Sequence, residues 1–358
     1  MKKNNFKIIP LYLFAFLAIA SCVSKEAKNN EVISEISLNG RNVFEDKFNL
    51  QNLYLIDSLV LTKNLANKEG SLFSVYNNND EYEHLFDFGS IGDGPNEFEA
   101  GVYCTTQFER DNDGIKFWVF EMNRNKLSQI DLTSTLEKKS LVISKSIRLR
   151  PGLSFKEVFH VTQNVIIGNP DNLSLKMNQL VIYDGLNNRV SKNIPFPFDF
   201  ENQKSNDINH TQQNYNALFI NNLRYNQRRN KLVSGMISID KIDIFNTDGS
   251  LYKSLMNEGD KAFDFDANMK EPKGFNVDVQ LGDKYIYVLY SGDSMSNYFE
   301  NSTPTKIKIF DWGLNLKHVL KTDASLNFIS VDENHKKIIG ISMTQEKIVE
   351  YKLENLNL

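Results

Sequence analysis

Cysteine, proline and glycine are all scarce: the 358 residues hold 2, 8 and 18 of them. Two cysteines cannot make a disulfide framework. So few prolines and glycines exclude collagen-like and low-complexity chains. A basic excess is missing too, since 41 Lys and Arg stand against 45 Asp and Glu, a net charge of -4. Without surplus positive charge to neutralise a phosphate backbone, nucleic acid is not an expected partner. No apolar run reaches the length of about 18 residues that a membrane-spanning helix needs. No stretch sustains a 3.6-residue apolar period, whereas a parallel α/β sheet needs crossover helices of about 10–15 residues. What remains is ordinary globular composition, 41% hydrophobic and 24% charged, with 25 Phe and 14 Tyr. Aromatics and Asn-rich turns favour strands joined by hairpins.

The N-terminus reads as an address. Lys2, Lys3 and Lys7 precede an uncharged apolar run from Ile8 to Ala20. At about 13 residues, roughly 20 Å as a helix, that run is too short to cross a bilayer and fits the core of a signal peptide. It ends in Ile19-Ala20-Ser21-Cys22, which resembles the bacterial lipobox. The resemblance implies cleavage before Cys22 and acylation of its thiol and amino group, and more than one acyl chain gives stable membrane anchoring. Residues 1–21 are then a lipoprotein-type signal peptide, and 22–30 a lipidated polar tether. Ser24-Lys25-Glu26 loosely resembles surface-export signals of Bacteroidetes lipoproteins. With Cys22 lipidated, Cys104 has no partner, and it is expected as a small packed residue in a strand.

A repeat occupies residues 31–358. Alternating apolar residues, then an aromatic or Ile, then Asn or Asp recur in Leu72–Asn77, Leu127–Asp131, Leu180–Asp184, Lys241–Asn246 and Lys306–Asp311; Lys347–Lys352 is a sixth copy ending in Lys. The mean interval is about 55 residues, within the range of propeller repeats. Each copy follows a second strand-like run: Ser58–Thr62, Phe117–Phe120, Val165–Gly168, Lys231–Gly235, Tyr285–Tyr290 and Lys337–Gly340. Five are followed by another, at 84–88, 142–149, 190–196, 251–256 and 316–320. Hairpin turns fall between them at Asn112-Asp-Gly114, Asp184-Gly185 and Thr247-Asp-Gly249. A unit of four short antiparallel strands repeated six times predicts an all-β, six-bladed β-propeller in one domain. The sixth copy lacks a fourth strand, and the alternating segment Val32–Leu38 is expected to supply it and close the ring.

Between the first two repeats lies Phe86-Asp-Phe-Gly89-Ser-Ile-Gly92-Asp-Gly94-Pro95-Asn-Glu97-Phe98. With Asp57–Val60 upstream and the lipobox before it, this resembles the Bacteroidetes TolB-like six-bladed β-propeller lipoproteins, whose turn reads Gly-x-Gly-Pro-x-Glu-Phe. The match holds at Gly92, Gly94, Pro95, Glu97 and Phe98, and elsewhere only in blade rhythm. It implies the fold and the lipid anchor, not an activity. The glycines do not make a phosphate cradle, because Pro95 follows at once, then acidic Glu97, and no Lys is present. They are expected to form a turn between blades, with Phe98 packed between them.

Catalytic constellations are not apparent. The five His (84, 160, 210, 318 and 335) show no zinc spacing. Asp264-Phe-Asp266-Ala-Asn268 opens like an EF-hand, yet Met269 and Phe275 stand where Gly and Glu are required. No Gly-x-Ser-x-Gly occurs. Arg228-Arg229 reads as a solvated turn, and Phe196, Phe198 and Phe200 as packing between blades three and four. No cofactor or metal is expected. The long connections at 87–99, 197–216, 257–273 and 291–304 all fall at one end of a propeller. They carry polar, acidic and aromatic residues, among them Asp93, Glu97, Tyr215, Asp264, Asp266, Asp293, Tyr298 and Phe299, the expected binding face. The expected function is a lipid-anchored, monomeric binding or scaffold propeller of the outer membrane, periplasmic or surface-exposed, taking an envelope protein, peptide or glycan. The alternative is a lactonase- or lyase-like enzyme with a metal in the axial channel.

Overall fold

In the computed structural model, residues 35–45, 50–65, 70–94, 96–99, 101–171, 178–197, 219–256, 270–300 and 303–354 are described. The signal segment, Cys22, Tyr215, Asp264 and Asp266 lie outside them. Six antiparallel blades of four strands form a β-propeller. From the axis outward, blade one is Leu50–Ile56, Leu59–Asn64, Phe73–Asn77 and His84–Phe88. Blade two is Val102–Asp111, Gly114–Glu121, Lys126–Asp131 and Ile143–Arg148. Blade three is Phe155–Thr162, Val165–Pro170, Asn178–Asp184 and Arg189–Pro195. Blade four is Asn221–Asn226, Lys231–Met236, Lys241–Asn246 and Leu251–Met256. Blade five is Lys273–Leu281, Tyr285–Ser294, Lys306–Asp311 and Leu316–Lys321. Blade six is Phe328–Asp332, Lys337–Ser342, Lys347–Lys352 and, from the N-terminal side, Arg41–Val43.

The second and third strands of each blade are sandwiched between neighbouring blades, which explains their near-continuous apolarity: Lys337–Ser342 is buried throughout. Outer strands are more exposed: Ile143–Arg148 alternates half-buried with exposed, and residues 251–255 are exposed on both faces. The apolar core therefore lies between blades. One cluster joins Phe73, Phe98 and Phe117 across blades one and two, and another joins Trp118, Phe120 and Tyr183 across blades two and three.

The recurrent sequence motif has a structural cause. In blades one to five the pairing of third and fourth strands shifts register at the same motif position, entering Tyr76, Ile130, Tyr183, Phe245 and Phe310. This bulge bends the strand before the outer hairpin. The Asn or Asp that follows ties the next turn: Asp184 accepts from the N–H groups of Leu186 and Asn187, and Asp311 from those of Gly313 and Asn315. In blade two, Asp131 instead caps a helix, Leu132–Lys138, by accepting from Ser134 N at 2.8 Å. The absence of long helical periodicity concealed this seven-residue helix and a six-residue one, Met295–Glu300.

The N-terminal segment closes the ring, but not with the expected residues. Glu35–Ser37 runs parallel to Leu316–Lys321 as a fifth strand of blade five. Gly40 then crosses to blade six, with its N–H on Asp323 Oδ2 at 3.0 Å. A Cβ there would come within 1.9 Å of Val349, so only glycine lets the chain pass this closely. Arg41–Val43 pairs antiparallel with Lys347–Lys352 and completes blade six. The alternation of residues 32–38 points elsewhere, because the closing strand is only three residues long; Arg41 within it is held by Glu350.

Candidate functional site

The innermost strand of every blade leaves one backbone edge unpaired, facing the axis, and such an edge needs polar partners. They come from neighbouring inner strands around the ring. Gln107 of blade two donates to His160 O at 2.7 Å and accepts from His160 N at 2.9 Å, both in blade three. Glu157 of blade three accepts from Leu223 N in blade four. Asn222 of blade four donates to Asn276 O and Val277 O in blade five, at 2.9 and 2.8 Å. Asp278 of blade five accepts from Ile329 N in blade six at 3.0 Å, and Ser330 of blade six from Leu55 N in blade one at 2.8 Å. The step from blade one to blade two is an ion pair, Asp57 with Arg110.

At the centre of this belt Arg224 is buried between two carboxylates, Glu157 on one side and Asp278 on the other, the latter at 2.8 Å. Burial pushes both carboxyls above the ordinary acid range, and Arg224 pulls them back in part. Burial would lower the guanidinium, yet Glu157 and Asp278 overcome it and hold Arg224 firmly charged. Nearby, burial pushes the Cys104 thiol up to about 12. It is a protonated, packed side chain at neutral pH, not a nucleophile. Burial, with Lys145 alongside, lowers His160 to about 4. Its ring stacks on Trp118 at 4.5 Å, and Lys145 Nζ lies 3.0 Å from Nε2.

Each of Tyr54, Arg224 and Ser330 is followed by a residue that lines a cavity of about 500 Å³. The cavity is the mouth of the axial channel. It is built from the ends of inner strands and their hairpins in blades one, two, four, five and six: Leu55–Asp57, Thr106–Asp111, Tyr225–Arg228, Leu281–Asp283 and Val331–Asn334. Phe108 and Tyr225 supply aromatic surface. Two arginines stand at the rim, Arg110 paired with Asp57 and Arg228 with Asp283, their side chains 61% and 74% exposed. Arg229, exposed in the turn as expected, also donates to Asp283 O and lies over Trp312 at 4.9 Å, so this arginine pair joins blades four and five. Glu333 accepts from the N–H groups of Asp283, Lys284 and Tyr285 and fixes one hairpin of the rim. The mouth is thus a rigid concavity with polar groups of both signs over an aromatic floor, suited to hydrogen-bonded recognition. Among the described residues no three His, Cys, Asp or Glu side chains gather as a metal site.

Strand order places the described parts of 87–99 and 291–304 at the other end of the ring, while most of 197–216 and 257–273 lies outside the described residues. Asp93 is fully exposed there and pairs with Arg124 at 2.6 Å. Glu97 accepts from Gly94 N at 2.7 Å within the glycine-rich turn, and Phe98 is buried against Phe73. Asp293 accepts from Ser294 N and Asn297 Nδ2 at the start of Met295–Glu300. Tyr298 is buried, its hydroxyl donating to Leu326 O at 2.6 Å. The Phe299 side chain, Tyr215, Asp264 and Asp266 lie outside the described residues. Phe196 packs on Phe219 at 5.2 Å; Phe198 and Phe200 also fall outside them. Sequence reasoning passed over Glu157, Arg224, Asp278 and the arginines' mouth position. The available signal was a lone charge inside an apolar run, as in Leu223-Arg224-Tyr225 and Val277-Asp278-Val279.

No protein-family model matches the chain, and no curated protein matches it. Among solved structures, a member of the DUF4221 family from Bacteroides vulgatus is similar over 89% of this chain and 98% of its own, at 12% identity and a TM-score of 0.50. A protein inferred to be exported, from Bacteroides fragilis, is similar over 88% and 94%, at 12% identity and a TM-score of 0.48. Identity this low carries the fold alone. No helix among the described residues is long and apolar enough to cross a membrane.

Proposed function

We propose that the chain is a lipid-anchored, non-catalytic binding propeller of the cell envelope, of the TolB-like lipoprotein type, that holds an envelope protein, peptide or glycan at its axial mouth. The observation that carries this reading is the 500 Å³ cavity contributed by five blades. Its rim presents exposed Arg110 and Arg228 beside carboxylates, while the axial charges below, Glu157, Arg224 and Asp278, are already bonded to one another and to backbone. The axial groups are largely buried and serve rigidity, whereas the rim pairs are exposed and open to contact. The lipobox-like junction at Cys22 supports outer-membrane attachment, in the periplasm or on the surface.

Site-specific photo-crosslinking tests the assignment. A photoreactive residue replacing Arg228 at the mouth and one replacing Asp93 at the opposite end are compared in cells. A discrete adduct from position 228 and none from 93 is expected. Adducts from 93 alone would move the binding face to the long connections, and none from either would defeat the binding reading. Cys22→Ser is expected to abolish fatty-acid labelling.

A further inference from the structure

A second cavity, about 340 Å³, lies between blades four and five and shares no lining residue with the channel mouth. Its walls are Ile242, Leu255, Phe310, Leu314 and Leu316. An apolar cavity of about 150 Å³ already holds a benzene ring, so this one has room for a phenylalanine side chain and its amide. Three polar groups stand at its edge: Asp240, Asn276 and Lys308.

Their hydrogen bonding is incomplete. Lys308 Nζ sits 3.0 Å from the centre of the Tyr290 ring, and Asp240 is 3.9 Å away, beyond hydrogen-bond reach. Burial lowers the Lys308 ammonium, with Asp240 opposing and Lys306 reinforcing. Asp240 accepts from the Tyr290 hydroxyl at 3.0 Å and has lone pairs to spare. Asn276, 1% exposed, donates through Nδ2 to Met236 O and Lys241 O, which fixes its amide. Its Oδ1 is buried with no hydrogen-bond partner among the described residues. A buried acceptor left open costs free energy.

We propose that this cleft binds a short apolar peptide segment, taking one aliphatic or aromatic side chain together with its neutral amide. The amide oxygen accepts from Lys308, and the amide N–H donates to Asp240 or Asn276 Oδ1. A carboxylate head would meet Asp240, an ammonium head would meet Lys308, and a sugar would leave the five apolar walls unmatched. A neutral head with one donor and one acceptor satisfies both signs at once.

The test is a methyl-detected NMR titration of the full chain in detergent with N-acetyl-L-phenylalaninamide. N-acetyl-L-phenylalanine and 2-phenylethylamine serve as charged comparators. Saturable shifts at the methyls of Ile242, Leu255 and Leu314 are expected, with both charged probes at least fivefold weaker. Leu255→Trp, at a position 38% exposed, fills the cleft without burdening the core and should weaken binding at least tenfold. Lys308→Met keeps the apolar walls and should weaken the amide at least fivefold while sparing the affinity of ethylbenzene. Absent or unsaturable shifts, shifts confined elsewhere, or undiminished binding in Leu255→Trp would overturn the site. Equal affinity for all three probes would overturn the assignment of its head group.

Discussion

Arg41 Nη2 lies 3.0 Å from Glu350 Oε1, although the two are 309 positions apart in the chain. The carboxylate is buried and also receives the Tyr82 hydroxyl and Lys337 at 3.4 Å, so one acid ties the closing strand, blade six and blade one. A buried acid bonded on three sides is costly to disturb, because removing it strands its partners.

Glu350→Ala is therefore expected to destabilise the fold by about 3–5 kcal/mol. A chain beginning at Gly40 keeps Arg41–Val43 and should lose only the fifth strand of blade five. One beginning at Glu45 loses the closure, and its thermal midpoint should fall much further. Equal midpoints for these two chains would show that Arg41–Val43 does not hold the ring.

The axial cluster yields a second expectation. Arg224→Met leaves Glu157 and Asp278 buried together without a counter-charge, which should cost about 3–5 kcal/mol in urea denaturation. Adding Glu157→Gln and Asp278→Asn should recover most of that loss, since neutral amides can still serve part of the hydrogen-bond network. If the triple variant is no more stable than Arg224→Met, charge isolation is not the cause.

The blade rhythm was legible because second and third strands are covered on both faces, and an apolar run ending in an aromatic and an Asx survives in the one-dimensional pattern. Inner strands were hidden: Phe155–Thr162 and Asn221–Asn226 mix apolar side chains with Glu157, Asn222 and Arg224, whose partners belong to other blades. Convergence of residues about 55 positions apart has no local signature, so the mouth could not be drawn from the sequence. Long connections were easy to see, because length needs no knowledge of what packs where. In one of them Tyr298, expected to be a contact residue, anchors a helix by its bond to Leu326.

His160 supplies a pH dependence with a definite sign. Its folded value, about 4, lies below the ordinary 6.5 because of burial and then Lys145. Between those values the unfolded chain binds a proton that the folded chain does not, so stability falls as pH drops from about 6.5 towards 4. Allowing for partial solvent screening, the loss should be about 1–2 kcal/mol. In His160→Phe this part of the pH profile should flatten. The check is a set of urea midpoints at pH 7.5, 6 and 4.5, and identical slopes in both proteins would refute the assignment.

Gly249 shows how a turn fixes two blades at once. In Asn246-Thr-Asp-Gly-Ser250 it takes φ of +77°, a region that L side chains rarely adopt. A Cβ there would also come within 2.7 Å of Ile194 and 3.0 Å of Ile182, both in blade three. The outer hairpin of blade four therefore needs glycine for its own turn and for its seat on the neighbouring blade. Gly249→Ala should cost about 1–2 kcal/mol from the backbone alone, with a further part from the contact. Ile194→Ala removes the obstructing methyl and should lower the cost of the second substitution in a double-mutant cycle. Additive effects of the two substitutions would assign the whole penalty to the turn, and a coupling of about 0.5 kcal/mol or more would assign part of it to the interblade seat.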